Sequence, residues 1–521
     1  MKTAESAFFY EIQLFLILFP AECAFFYEIQ LFLFYFSAKS KVKGMDKIVG
    51  REFEKNELKK ALESTKSELV AVMGRRRVGK TFLIRNYLEE QIIVEFTGVQ
   101  NVNNEVQLFH FMNVLKTIGL NETIEVPPQS WLKAFGYLEQ VLSTLKKPFK
   151  PVLFFDELPW LAGKSSDFIA AFDYFWNAWA SKRNIMVVIC GSSASWMNQK
   201  IMNNKGGLHN RITRLIHVKP FNLAETQQFL TFKGINYPQY HILQLYMAIG
   251  GIPLYLELLD KSRSVAENLN EICLKPTGFL YNEYDRLLPS LFLHHQVHTS
   301  MIQALVKKRK GLTRDEILTE TKLQNGGTFT KYLDELIQSD FVDFYKPFGK
   351  QKKDTLYRIT DMFCLFYFAY ILPNKGNKTP DFMAFSQSQS YKSWAGYTFE
   401  NVCMSHILQI KKALGISGIP TTTSSFIAKP NEGLEGAQID LLIERNDRTI
   451  HLCEIKFLAD ELIINKVFVE NLRNKRTVFN YYTKNKNHIL NTLITTYGVK
   501  SNDYSVENID KVITMQALFE E

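Results

Sequence analysis

Residues 68–81, ELVAVM followed by GRRRVGKT, constrain this chain more than any other stretch. ELVAVM is an apolar run of strand length, the next eight residues satisfy GxxxxGK[ST], and residues 81–90 have helical spacing. A strand that turns through glycines into a helix presents the first helical N–H groups, which lack intrahelical partners, to the mouth of the turn. That arrangement suits phosphate. Lys80 is expected to reach β- and γ-phosphates, and the Thr81 hydroxyl to ligate Mg²⁺. Gly74, Arg75, Arg76, Arg77, Val78, Gly79, Lys80 and Thr81 are therefore the expected nucleotide-binding residues, with ATP and Mg²⁺ as ligands.

A partner for this loop lies downstream. Residues 151–155 are a continuous apolar run that delivers Asp156 and Glu157, a carboxylate pair that can divide two tasks. Asp156 is expected to hold the metal, and Glu157 to orient or deprotonate an attacking water, which implies hydrolysis. Residues 92–97 and 185–190 read as further strands, and such unbroken runs are buried on both faces of a parallel sheet. The expected fold class is α/β, with this ATPase core over residues 45–220.

Beyond Pro220 the strands stop. Residues 223–259 read as helical with one break at Gly250-Gly251-Ile252-Pro253, giving a helical lid over 221–295. Residues 299–358 read as three helices (301–308, 314–321, 328–338) and two strands (341–345, 355–359) around a basic loop, the order of a winged helix-turn-helix within 296–372. Its third helix carries Lys331 but also Asp334 and Glu335, a poor reader of a major groove, whereas Lys346, Lys350, Lys352 and Lys353 suit phosphate contacts. DNA binding and simple packing between domains both fit this unit. The polar run 374–381 is an expected linker or exposed loop.

In residues 436–457 thirteen residues separate Asp440 from Glu454-Ile455-Lys456. With a turn at Asn446-Asp447-Arg448, Asp440 lies level with Glu454 on the neighbouring strand, and Glu454 and Lys456 point to one face. Two carboxylates and an ammonium at one spot are what metal-dependent phosphodiester cleavage requires. Gln438 shares the face of Asp440, and the apolar flanks Ile439, Leu441, Leu442, Leu452 and Ile455 point to a buried hairpin.

Val49-Gly50-Arg51-Glu52, the two motifs above, Gly191-Ser192-Ser193, Arg211, Arg214 and Gly251-Ile252-Pro253 together resemble the archaeal-type P-loop ATPases of the AAA+/STAND group, over residues 45–358. The resemblance implies that Arg51 lies near the adenine, that Ser192 or Ser193 senses the γ-phosphate, and that Pro253 packs near the nucleotide from the lid. It also implies that Arg211 or Arg214 serves as an arginine finger, although arginines beside a strand also serve as surface or salt-bridge residues. Residues 382–521 resemble the PD-(D/E)xK nuclease fold, which implies that Glu400 joins Asp440 and Glu454 as Mg²⁺ ligands and that Lys456 assists cleavage. Such domains also persist as scaffolds without activity.

The chain has 521 residues, 46% hydrophobic and 22% charged, an ordinary balance for soluble domains. Its net charge of +9 is a weak indication of nucleic-acid contact. Six cysteines lack CxxC or CxxH spacing, against a zinc site or disulfide framework and in keeping with the cytoplasm. AFFYEIQLFL occurs at residues 7–16 and again at 24–33, but Glu11, Pro20, Glu22 and Glu28 interrupt the about 20 apolar residues a membrane span needs. No stable membrane association is expected. Met45 opens MDKIVGREFEKNELKKAL, which reads as a natural start, so residues 1–44 are expected to be a non-native extension.

The combined expectation is an ATPase coupled to a nuclease-like domain that acts on or near DNA. The alternative is a nucleotide-dependent switch that binds a protein partner and cuts nothing.

Overall fold

Strand β1 (Glu68–Met73) is buried along its whole length, as are β3 (Val152–Asp156) and β4 (Met186–Gly191). With β2 (Ile92–Thr97) and β5 (Arg214–His217) they form a five-stranded parallel sheet in the order β2-β3-β4-β1-β5. Its core is aromatic: Phe111, Trp131, Phe135, Phe155, Phe168 and Phe172 interlock between the sheet and the flanking helices. Parallel strands bury both faces, and the chain supplies apolar residues for both.

This description comes from a computed structural model and covers residues 48–521 apart from 121–126, 146, 164–165, 203–207, 209, 309, 378–380 and 431–434. The chain divides into the units Met1–Ile48 and Val49–Glu521, and the sheets and sites described belong to the second. The repeated decapeptide, the proposed start at Met45 and part of the 374–381 linker lie outside the described residues. Among the described residues no helix is long and apolar enough to cross a membrane, and the five described cysteines are buried and free.

After the sheet the chain is helical, with Leu223–Phe232, Gln239–Ile249, Pro253–Glu257, Val265–Leu269 and Glu283–Leu291. The expected single break is therefore joined by a second, at residues 233–238, where Gly234 takes φ 75° and Pro238 starts the next helix. Only glycine fits at position 251 in this break, since a Cβ there would lie 1.9 Å from the Phe221 carbonyl oxygen.

Helices His295–Lys307, Arg314–Thr321 and Gly327–Gln338 then pack beside a three-stranded antiparallel sheet, β6 (Leu312–Thr313), β8 (Leu356–Ile359) and β7 (Val342–Tyr345) in that order. Thr313 and Glu316 cap the middle helix reciprocally.

The C-terminal region is a five-stranded mixed sheet in the order β13-β12-β11-β10-β9. Strands β9 (Thr421–Ala428), β10 (Ala437–Arg445) and β11 (Thr449–Lys456) are antiparallel, whereas β12 (His488–Thr495) and β13 (Lys511–Thr514) run parallel to β11. Helix Lys466–Thr483 connects β11 to β12 and packs Val478 and Phe479 on Phe426, Ile439 and Leu442. Helix Gln389–Ser405 begins where the Ser388 side chain accepts from the Tyr391 N–H and caps it.

Candidate functional site

Parallel register brings four strand ends to one edge. Met73 lies opposite both Gly191 of β4 and His217 of β5, and Phe155 of β3 lies opposite Ile189. The residues that follow these strands therefore meet.

Gly74 leaves β1 at φ 150°, and a Cβ there would sit 2.2 Å from the Val218 carbonyl oxygen. Gly79 caps the helix Lys80–Tyr87 at φ 88°. Between them the buried Lys80 ammonium donates to the carbonyls of Gly74 (2.8 Å) and Arg75 (2.9 Å). Thr81 Oγ1 donates to Asp156 Oδ2 at 2.7 Å, and Asp156 Oδ1 accepts from the Glu157 N–H at 2.9 Å. Glu157 sits at φ 48°, and its Oε2 accepts from Ser192 Oγ at 2.9 Å. Burial, then the Asp156 charge, raise the Glu157 pKa against the opposing pull of Lys80 and Ser192. The structure thus brings Lys80, Thr81, Asp156, Glu157 and Ser192 together.

The arginines of the loop do more than supply backbone. Arg75 is 1% exposed, is ion-paired to Asp361 and lies over the Phe341 ring at 4.5 Å. Arg77, at φ 75°, pairs with Glu283, while Arg76 is half-buried. Arg51 is buried, donates to Lys219 O (2.6 Å) and Val78 O (2.9 Å), and stacks on Phe221 at 4.4 Å. It fastens the loop to the segment after β5. The Gly251 carbonyl accepts from Phe221 N–H at 2.7 Å, which sets Pro253 two residues from that segment, at the first turn of its helix.

Arg211 and Arg214 are not part of this group. Arg214 opens β5 level with Val70 and pairs with Glu57 (3.0 Å) and Glu68 (3.7 Å), at the opposite end of the sheet from the loop. Exposed Arg211 precedes it. Because β5 runs parallel to β1, Arg214 at its start lies away from the 74–81 loop of its own chain.

A second polar cluster forms on the C-terminal sheet. Leu441 pairs with Cys453, so Asp440 is level with Glu454, as expected. Glu454 is 6% exposed; its Oε1 accepts from Lys456 Nζ at 2.7 Å and its Oε2 from Lys475 Nζ at 2.5 Å. Asp440 Oδ2 accepts from the Ile455 N–H at 3.1 Å. Glu400, Gln438 and Asp440 line a cavity of about 20 Å³ with Tyr345 and Arg358.

Burial, then the neighbouring Asp440 charge, raise Glu400 to a pKa of about 8, and burial, then Glu454, raise Asp440 to about 6. Burial also works against the Glu454 charge, but the two lysines outweigh it and hold its pKa low.

The expected ligand trio is therefore only partly assembled. Among the described residues no group of three or more His, Cys, Asp or Glu is placed to hold a metal, because Glu454 turns to Lys456 and Lys475. Lys475 escaped the sequence reading. Its signal was its position between Leu472 and Val478, a cation on the buried face of helix Lys466–Thr483.

The helix Gly327–Gln338 is packed on the face that holds Glu335, whose Oε2 meets His298 Nε2 at 2.8 Å and whose Oε1 accepts from Ser195 Oγ at 3.4 Å. The loop after β7 docks on the C-terminal sheet through Phe348, whose N–H donates to Ser425 O at 2.7 Å and whose ring meets Phe479 at 5.3 Å.

Residues 48–259 match the family described as an ATPase domain predominantly from Archaea. An uncharacterized protein of Methanocaldococcus jannaschii is 25% identical over 414 residues, 79% of this chain and 87% of its own. Similar solved structures include the Walker-type ATPase PABY2304 of Pyrococcus abyssi (TM-score 0.45, 18% identity, 61% of this chain and 95% of that one). The ORC2 protein of Aeropyrum pernix in its ADPNP–ADP complexes gives TM-score 0.38 and 14% identity over 64% of this chain and 97% of that one. Residues 48–259 are an ATPase domain of the archaeal type on an α/β fold with a parallel sheet.

Proposed function

We propose that the chain binds ATP with Mg²⁺ in the 74–81 loop and hydrolyses it, and that residues 382–521 are a nuclease-like domain acting on DNA. The observation that carries the first part is the meeting of Lys80, Thr81, Asp156, Glu157 and Ser192 at the ends of β1, β3 and β4. Lys80 already points its ammonium into the loop, and it would exchange two carbonyls for β- and γ-phosphate oxygens. The first helical N–H groups after Gly79 would take the remaining phosphate oxygens. Thr81 and Asp156 would hold Mg²⁺, which when bound neutralises charge on the phosphates. Glu157 would orient the attacking water and accept its proton, held in place by Ser192, and its raised pKa makes it a better base than an ordinary carboxylate. Arg51 and Pro253 would border the base, and a finger role for Arg211 would require a second copy of the chain.

On this reading residues 45–220 are the core, 221–295 the lid and 296–372 a winged helix. The nuclease-like part is supported by Asp440, Glu454, Lys456 and Glu400 on adjoining elements. Glu400 and Asp440 face each other without a bonded lysine, and their raised pKa values mark a spot where a divalent cation would relieve repulsion. These two fit Mg²⁺, whereas Glu454 must first part from a lysine. That engagement favours a second reading, a nucleotide-dependent switch that binds a protein partner and cuts nothing.

Incubation of plasmid and single-stranded DNA with Mg²⁺ or Mn²⁺, with and without ATP, separates the two. Cleavage lost in Lys456→Ala supports the nuclease. Undegraded DNA beside continuing ATP turnover supports the switch.

A further inference from the structure

We infer that the groove between the three-stranded unit and the C-terminal sheet binds single-stranded nucleic acid and leads it to the Glu400–Asp440 cavity. The inference rests on the nuclease-like reading for its destination and on the groove itself for its ligand. The groove encloses about 1070 Å³ and shares Tyr345, Arg358 and Met404 with the wall of the small acidic cavity. The two hollows therefore lie side by side, and a strand held in the groove passes next to the acidic cavity.

The lining has the two properties such a strand needs. Arg314, Lys346, Lys352, Lys353 and Arg358 supply five cations for a phosphate backbone, against three carboxylates, Asp315, Asp334 and Asp343. One of those carboxylates, Asp343, already accepts from the Phe344 N–H at 2.8 Å. Phe344, 53% exposed, and Tyr357 offer ring faces for bases, their centroids 6.1 Å apart. Stacking on aromatic rings beside a basic track is the general mode of single-strand binding.

Duplex fits poorly. The helix Gly327–Gln338, which would have to enter a major groove, is anchored through Glu335 to His298 and Ser195, and it turns Asp334 into the groove. The basic loop is not a free wing either, since Phe348 is docked on Ser425 and Phe479.

The test is fluorescence anisotropy of a labelled 20-residue oligo-dT, and of a duplex of the same length, with the full chain in EDTA so that no cleavage occurs. An oligo-U of equal length shows whether DNA or RNA is the preferred source of the strand. The expected result is tighter binding of the single strand, with log Kd varying against log salt at a slope of about 3.5 for five phosphate contacts. Lys346→Ala/Lys352→Ala/Lys353→Ala should weaken binding at least about tenfold and reduce the slope by about 2. Phe344→Ala should weaken it by about tenfold with the slope unchanged. Because it leaves every charge in place, Phe344→Ala carries the test if the triple variant fails to fold.

Equal affinity for duplex, or unchanged binding in Phe344→Ala, would overturn the inference. Binding as described with no cleavage by Mn²⁺ would remove the nuclease reading and leave the groove. Cleavage by a protein whose groove variants bind and cut like the parent would do the reverse.

Discussion

Arg75 of the glycine loop and Asp361, 286 residues later, form an ion pair in which both side chains are nearly inaccessible. Asp361 also accepts from the Cys364 N–H at 2.7 Å, so one carboxylate caps the helix Met362–Phe366 and holds the loop. Burial opposes the Arg75 charge, but Asp361 more than offsets it and keeps the guanidinium ionised.

Removing one partner leaves the other buried and uncompensated. Asp361→Ala should cost about 3–5 kcal/mol, read as a large fall in the thermal midpoint. Replacing both, Arg75→Met with Asp361→Leu, should cost much less, because buried pairs return little net stability over apolar residues of similar size.

The two glycines of the loop should differ. Gly74→Ala forces a methyl to within 2.2 Å of the Val218 oxygen, on a backbone that Val218 N–H already ties to Met73 O at 2.8 Å. The expected cost is about 1–3 kcal/mol with loss of nucleotide binding. Gly79→Ala meets nothing within 4 Å and should cost about 1 kcal/mol, from its φ of 88° alone. Urea unfolding and titration with a fluorescent ATP analogue check both.

Glu400 gives the fold a pH dependence. Its folded pKa of about 8 lies above the ordinary carboxylate value, so between the two the folded state binds more protons than the unfolded state. Its contribution is fully present at acidic pH and is lost as pH rises through about 8. Asp440, at about 6, adds the same trend in a lower window. Thermal midpoints should therefore fall from pH 6 to pH 8.5, and Glu400→Gln should flatten that decline. Mn²⁺ should raise the wild-type midpoint more at pH 8.5 than at pH 6 if the two carboxylates hold the ion.

Local signals were legible and long-range ones were not. The span of β1 follows from ELVAVM, and the level placement of Asp440 and Glu454 follows from period-two counting across a short turn. The break after Phe232 was marked by Gly234 and Pro238, but apolar spacing on either side masked it. The partners of Arg75, Arg77 and Glu454 lie on elements that no local pattern relates to them. The distance of Arg214 from the loop of its own chain follows from strand direction, which becomes fixed only once β5 is known to pair parallel to β1.

Lys475 and Lys456 share Glu454 unequally, with side-chain exposures of 14% and 39%. Lys475→Ala should lower stability by leaving a buried carboxylate with one partner, while Lys456→Ala should affect stability less and abolish any DNA cleavage. Thermal unfolding of both variants beside the plasmid assay separates a supporting cation from a working one.

The most direct measurement is Mg²⁺-dependent ATP turnover by the full chain beside Lys80→Ala and Glu157→Gln, with nucleotide affinity measured on the same samples. Lys80→Ala should lose binding and turnover together, whereas Glu157→Gln should keep binding and lose at least about a hundredfold in turnover. Wild-type turnover retained in Glu157→Gln, or ATP bound equally well by Lys80→Ala, would contradict these roles.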